Sequence, residues 1–211
     1  MNGTFMFGGD RFGPDQDYAS TYRALGGTGS SGEVNSAVQS AFDYLAIRYD
    51  DPAYHDSFPP VNEALAAVAG GWPLRERDRL ARTFAHHELG RVPSEYAAAL
   101  RRLARRHRLG LVADIWATRD LWVEELNRAG VLGLFDVLVF SSDSRSVKPS
   151  PEPFRRALRE MGGTPDDAVM VGDSAHRDGG GAQAAGLSFV LVGADCHPSA
   201  VGQIENLLSV R

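Results

Sequence analysis

Asp173 and Asp178 carry the first sign of chemistry in this chain. In Ala168–Asp178, AVMVGDSAHRD, four apolar or β-favouring residues run into Gly172, followed by Asp173, Ser174 and a second carboxylate at Asp178. A short apolar run closing on Gly-Asp predicts a buried parallel strand that delivers an acid to its carboxyl end. The small residues after it, DGGGAQAAGL, predict a crossover helix lying close on the sheet. Asp178 then sits about one helical turn beyond Asp173, on the same rim. In open α/β sheets that rim is where ligands bind. Two carboxylates converging there suit a hard divalent cation, most simply Mg²⁺. Read as structure alone, the same residues are an N-cap Asp and a solvated helix Asp.

The elements that must position these acids follow from the pattern on either side. Residues Met1–Phe12 predict a loop and a tight hairpin, with Thr4–Phe7 and Arg11–Phe12 flanking a Gly8-Gly9-Asp10 turn. From Asp17 to about His107 the spacing is helical, with Val38, Ala41, Phe42, Leu45 and Ile47 on the apolar positions. Breaks at Gly26–Gly32, Asp50–Pro52, Phe58–Pro60, Gly70–Pro73 and Gly90–Pro93 divide this region into about five helices. The character changes at Arg108. Leu109–Ala113 predicts a strand, Thr118 can cap a helix running to about Gly130, and Val137–Phe140 is the next strand. Pro151 to Met161 is a helix with prolines in its opening turns, where a missing N–H costs least. The strand at Val169–Val171, a helix, a strand at Phe189–Val192 and a last helix after Pro198 complete the order. Strand alternating with helix at this spacing means a parallel sheet with right-handed crossovers. The expected fold is an α/β Rossmann-like core, residues 1–14 and 108–211, with an inserted all-α cap, residues 15–107.

Composition narrows the function. The 211 residues are 43% hydrophobic and carry a net charge of −5, so no general basic field invites nucleic acid. Arg101, Arg102, Arg105, Arg106, His107 and Arg108 form the one basic block, expected as the solvated face and last turn of a helix. The single cysteine, Cys196, gives no disulfide and suits a reducing cytoplasm. No apolar stretch approaches the roughly 18 to 20 residues that span a bilayer, and no secretory signal is visible. A cytoplasmic protein without membrane or nucleic-acid partners is expected. His86-His87 followed by Glu88 lacks the i, i+4 spacing of a zinc site and is expected at the surface. Trp116 and Trp122 are expected as core or pocket wall.

The order of motifs resembles the haloacid dehalogenase (HAD) superfamily, in its members with a helical cap inserted after the first strand. VGDSAHRD resembles the fourth motif, whose paired acids, here Asp173 and Asp178, hold Mg²⁺. VKPSPEPF resembles the third, which implies that Lys148 steadies nucleophile and phosphate. Lys148 is the only lysine among the 22 cations of the chain, which makes a chance lysine at this place less expected. MNGTF resembles the tail of the first motif, written D-x-D-G-T or D-x-N-G-T, and puts Asn2, Gly3 and Thr4 in the site. Ser174, with Gly3 and Thr4, is then expected beside the phosphate. The implied activity is phosphoryl transfer, in which positioning and charge neutralisation do most of the work. A carboxylate nucleophile attacks phosphorus and water cleaves the aspartyl-phosphate.

The chain also departs from that pattern. The nucleophilic aspartate of the first motif would stand one residue before Met1, on an apolar strand lying between the strands that end at Ala113 and Asp173. The expectation is a longer form beginning with about ten mostly apolar residues that supply both. A competing reading makes Thr4–Phe7 that strand and Asp10 the nucleophile. In the second motif, Ala113 occupies the slot of a phosphate-binding Ser or Thr, and the following Asp114, if ionised and inward, repels phosphate. Thr118, or backbone N–H groups after Asp114, would have to compensate. Asn2 stands where a general acid is usual; an amide cannot do that work, though its backbone carbonyl can ligate metal. The expected function is a Mg²⁺-dependent hydrolase acting on a small phosphorylated substrate, impaired without its nucleophile. A non-catalytic phosphate- and metal-binding protein is the alternative, and a dehalogenase, which works without metal, a third.

Overall fold

Residues 1–192 are described by the computed structural model. The expected last helix after Pro198, and Cys196, lie outside the described residues. Five helices follow one another in the first half: α1 (Tyr18–Ala24), α2 (Ser31–Tyr49), α3 (Val61–Val68), α4 (Leu74–Glu88) and α5 (Ser94–Leu103). Their starts follow the local sequence. The Asp17 side chain accepts from Ser20 N–H and the Ser30 hydroxyl from Glu33 N–H, while Pro60, Pro73 and Pro93 precede the other three. Val34, Val38, Ala41 and Leu45 on α2 are fully buried among Tyr18, Tyr22, Leu65 and Phe84, a stripe at three- and four-residue spacing. Ile47 falls off that stripe and is 72% exposed, against its expected place on the apolar face.

The second half alternates strand and helix: β1 (Leu109–Ala113), α6 (Asp120–Arg128), β2 (Phe135–Phe140), a single turn α7 (Ser141–Ser144), α8 (Glu152–Met161), β3 (Val169–Gly172), a π-helical turn at Ala175–Gly179, α9 (Gly180–Ala184) and β4 (Ser188–Leu191). β1 pairs parallel with β2, and β3 parallel with β4. This is a helix-rich α/β fold with a small parallel sheet, as the alternation requires. One side chain from α8, Phe154, and one from α9, Ala182, share a buried core with Val112, Val137 and Val139, so the two helices span both strand pairs on one face.

The sheet is divided. Among the described residues no strand pairs with the second edge of β1 or of β3. Between those edges lies a cavity of about 1080 Å³, lined by β1 and β3, by Leu100 of α5 and Phe154 of α8, and by Met1. One strand as long as β1, at a strand spacing of ~4.8 Å and a sheet thickness of ~10 Å, fills ~800 Å³. The cavity thus has room for a single strand.

Two local expectations are corrected. No hairpin joins Thr4–Phe7 to Arg11–Phe12. Phe7 instead exchanges both backbone hydrogen bonds with Arg91 (2.8 Å each), where the chain returns from α4. Asp10 and Arg11 donate to the carbonyls of Glu88 and His87. Thr118 does not cap α6: that helix starts at Asp120 after Arg119, with no side-chain cap, because the loop after β1 is held elsewhere. No helix among the described residues is long and apolar enough to cross a membrane.

Candidate functional site

At the carboxyl end of β3 the chain passes through Asp173 and Ser174 into the π-helical turn. The Ser174 hydroxyl accepts from Arg177 N–H (3.1 Å) and the Ser174 carbonyl from Asp178 N–H (2.9 Å). This folds Asp178 back under the strand end. A Cβ at Gly172 would stand 2.4 Å from the Asp178 carboxyl carbon, so only glycine allows that approach. The Asp178 Oδ2 atom accepts from Ser174 N–H (3.0 Å), and Oδ1 takes the Lys148 ammonium at 2.6 Å. Lys148 is 7% and Asp178 3% exposed. Burial works against both charges. For Lys148 the charges of Asp114 and Asp178 outweigh it and raise the ammonium above its usual range. For Asp178 the Lys148 charge and hydrogen bond outweigh it and lower the carboxyl.

Asp173 is reached from the other end of the chain. The Met1 carbonyl accepts from the N–H groups of Thr4, Phe5 and Met6 (3.0–3.1 Å), knotting the first six residues. Gly3 has φ +76°, and a Cβ there would lie 2.3 Å from Asp173 Oδ2. The Thr4 hydroxyl donates to Asp173 Oδ1 at 2.9 Å. The Met1 amine is buried; burial, then the Lys148 charge, push it down to about 6 against the pull of Asp178, Asp173 and Asp114. Asn2 Nδ2 donates to Asp10 Oδ2 (2.8 Å) and to the Glu88 carbonyl (3.3 Å). Asp10 sits in a turn at φ +55°, at the end of no strand, which removes the geometry of the competing nucleophile reading.

The loop after β1 differs from expectation in what holds it. Ala113 is buried at the strand end. Asp114 faces Lys148: its Oδ1 accepts from Lys148 N–H (3.2 Å) and its Oδ2 from the Tyr49 hydroxyl (2.7 Å). The backbone N–H groups that were to compensate for Ala113 are committed. Ile115 N–H donates to the Ser141 hydroxyl (2.9 Å), Trp116 N–H to Glu88 Oε1 (2.6 Å) and Ala117 N–H to Glu88 Oε2 (3.0 Å). His87 and Glu88 are therefore not at the surface: they are 7% and 5% exposed. Leu80, Phe84 and Glu88 stand four residues apart, so helical spacing carries Glu88 onto the buried stripe of α4. That spacing was the available signal. Tyr49 and Arg177 carried none: the Arg177 guanidinium lies 3.4 Å over the Tyr49 ring and donates to the Lys148 carbonyl at 2.8 Å, a meeting only the fold creates.

Glu88 gives a pH dependence. Burial raises its carboxyl from 4.5 to about 8, with Asp10 and Asp114 adding to the effect of burial and the two N–H groups opposing it. Between these values the folded chain holds a proton that the unfolded chain releases. Stability therefore falls as pH rises from 4.5 to about 8. The urea midpoint is expected to be higher at pH 5.5 than at pH 8, and Glu88→Gln to flatten that slope. An unchanged slope in the variant contradicts the assignment.

The donors that this rim offers are oxygen atoms, the class a small hard cation takes. Among the described residues no three His, Cys, Asp or Glu side chains are grouped to hold a metal. Asp178 is engaged by Lys148, which leaves the Asp173 carboxylate against the Gly3 backbone. The buried Asn2 Oδ1 has no hydrogen-bond partner, an orphaned acceptor in the segment that carries Gly3. An oxygen-only set with one or two carboxylates suits Mg²⁺, which keeps several of its waters.

The family model described as haloacid dehalogenase-like hydrolase matches residues 75–192. A phosphoserine phosphatase of Thermus thermophilus is 37% identical over 75% of this chain and 66% of its own length. The pyrophosphatase PpaX of Bacillus velezensis is 30% identical over 64% of this chain and 65% of its own. The chain thus spans about two thirds of the length of these curated relatives. A 2-haloacid dehalogenase from Pseudomonas syringae superposes with a TM-score of 0.62 at 21% identity, over 99% of this chain and 95% of that one. An enzyme from Bacteroides thetaiotaomicron, solved with magnesium and inorganic phosphate, gives 0.56 at 13% identity, over 89% and 90%. At such identities the two structures speak for the fold alone.

Proposed function

The chain belongs to the haloacid dehalogenase-like hydrolases, and on that premise we propose that it is built to cleave a small phosphate ester with Mg²⁺ at the Lys148–Asp178 rim. The curated relatives are phosphatases, one named for phosphoserine and one for pyrophosphate, which supports a small phosphorylated substrate. The observation that carries the reading is the buried Lys148–Asp178 pair, 2.6 Å apart, on the same rim as Asp173. The division into a core, residues 1–14 and 108–211, and a helical cap, residues 15–107, belongs to the same reading.

Asp173, with the Asn2 backbone carbonyl, would hold the metal, and Asp178 would contribute through its contact with Lys148. When bound, Mg²⁺ offsets the repulsion between an attacking carboxylate and a phosphate dianion. The Lys148 ammonium adds a second positive charge that the buried acids keep protonated. The Thr4 hydroxyl holds Asp173 in place, and Gly3, Thr4 and Ser174 line the position of the phosphate. On the resemblance of MNGTF to D-x-N-G-T, the attacking carboxylate stands two residues before Asn2. Turnover of p-nitrophenyl phosphate by the 211-residue chain alone is accordingly expected near background. Robust turnover that EDTA abolishes would contradict this placement of the nucleophile.

Two observations favour a second reading, a metal- and phosphate-binding protein without turnover. Ala113 offers the phosphate no hydroxyl, and the N–H groups of Ile115, Trp116 and Ala117 are already bonded within the chain. A dehalogenase reading has less support, since a reaction without metal makes no use of acids paired to hold one.

A further inference from the structure

Glu88 has no role in the chemistry above, yet it touches more of the site's scaffold than any residue that does. It ends α4, the last helix before the chain returns to β1 through α5. Its carboxyl oxygens take two successive N–H groups of the loop after β1, from Trp116 at 2.6 Å and Ala117 at 3.0 Å. Its main-chain carbonyl takes the Asn2 amide at 3.3 Å and Asp10 N–H at 3.1 Å. The loop held by its side chain carries Asp114, which receives Lys148 N–H. One residue of the helical region thus grips both segments that face Lys148 and Asp173. A buried carboxyl with no cation among its partners is costly to keep, and two well-formed hydrogen bonds per side chain are what make it tolerable.

We infer that Glu88 is a positioning residue: through the Trp116–Ala117 backbone it sets where Asp114 meets Lys148, and through its carbonyl it orients Asn2. Its functional consequence rests on the phosphate reading of the same rim; its structural consequence does not. Glu88→Leu removes both acceptors at similar volume, releases the loop and lets Asp114 move from the Lys148 amide. Glu88→Gln keeps one acceptor oxygen and turns the other into a donor opposed to an N–H, so it holds one of the two loop amides.

The test follows the backbone amide resonance of Lys148 and the affinity for tungstate, a phosphate-like oxyanion, in the 211-residue chain with Mg²⁺, well below the melting temperature. Glu88→Leu is expected to shift the Lys148 amide as well as those of Trp116 and Ala117. It should weaken tungstate by about tenfold, the equivalent of one lost hydrogen bond. Glu88→Gln, with one of the two acceptors left, is expected to fall between wild type and Glu88→Leu in both readouts. A Glu88→Leu chain that is folded, with Trp116 and Ala117 shifted but Lys148 and tungstate affinity unmoved, would reduce Glu88 to a structural residue and overturn the inference. Should Glu88→Leu not fold, Glu88→Asp, too short to reach both N–H groups, decides by the same Lys148 shift. A wild-type chain that binds no tungstate would reject the phosphate reading, while the Lys148 shift still judges Glu88.

Discussion

About ten mostly apolar residues ending in aspartate, fused directly before Met1, are expected to raise Mg²⁺-dependent phosphatase turnover on the order of 10⁴-fold or more, the scale on which loss of a nucleophile is felt. Three features support this. The cavity between β1 and β3 has room for one strand, both its flanking edges lack a strand partner among the described residues, and Met1 lines it. Helices lie on its two faces, α5 on one and α8 on the other, so a strand there must be apolar on both sides. Its last residue would come beside Met1, whose amine already feels Lys148, Asp178 and Asp173. The same fusion ending in asparagine separates chemistry from packing: it should raise the urea midpoint without turnover. If both fusions stabilise and neither turns over, the binding-protein reading holds. If neither changes stability, the strand-sized cavity is not a strand site and the nucleophile placement falls with it.

Removing Lys148 is the second large effect. Lys148→Met leaves Asp178 buried and unpaired, which costs about 3–5 kcal/mol when one partner of a buried pair is lost. Pairing it with Asp178→Leu should recover most of that loss, because an apolar pair of similar volume has no desolvation to offset. The pH dependence has two arms. The Asp178 carboxyl is lowered by Lys148 against its burial, so its stabilisation is present above its unfolded value and lost as pH falls through the folded one. The Lys148 ammonium is raised, so its share is present below its unfolded value and lost as pH rises through the folded one. Denaturant titrations of the wild type, the single and the double variants read all of this. A single variant within about 1 kcal/mol of wild type would mean a solvent-screened pair and a different rim.

Much of this architecture was legible in the sequence, for reasons that also mark where legibility ended. The strands at Leu109–Ala113 and Val169–Gly172 announce themselves because short apolar runs end at acids. The five early helices are separated by Gly and Pro clusters that leave little choice of boundary. Local reasoning failed where long-range contacts decide. Phe7 pairs with Arg91 and not with the nearby Arg11–Phe12, and the Thr118 cap gives way to a loop pinned by Glu88. Lys148 and Asp178 were expected on one rim from motif order, and the fold sets them 2.6 Å apart. Tyr49 and Arg177 reach the same rim from positions far apart in sequence, with no spacing to betray them.

The proposed function requires Asp173, Asp178 and Lys148 to form one cation- and anion-holding rim. Mn²⁺, a paramagnetic substitute for Mg²⁺, tests it directly in the chain as it stands. Substoichiometric Mn²⁺ is expected to broaden the amide resonances of Gly3 and Ser174 first, and Asp173→Asn, with the fold intact, to abolish the broadening. Broadening centred elsewhere, or unchanged in Asp173→Asn, would contradict it.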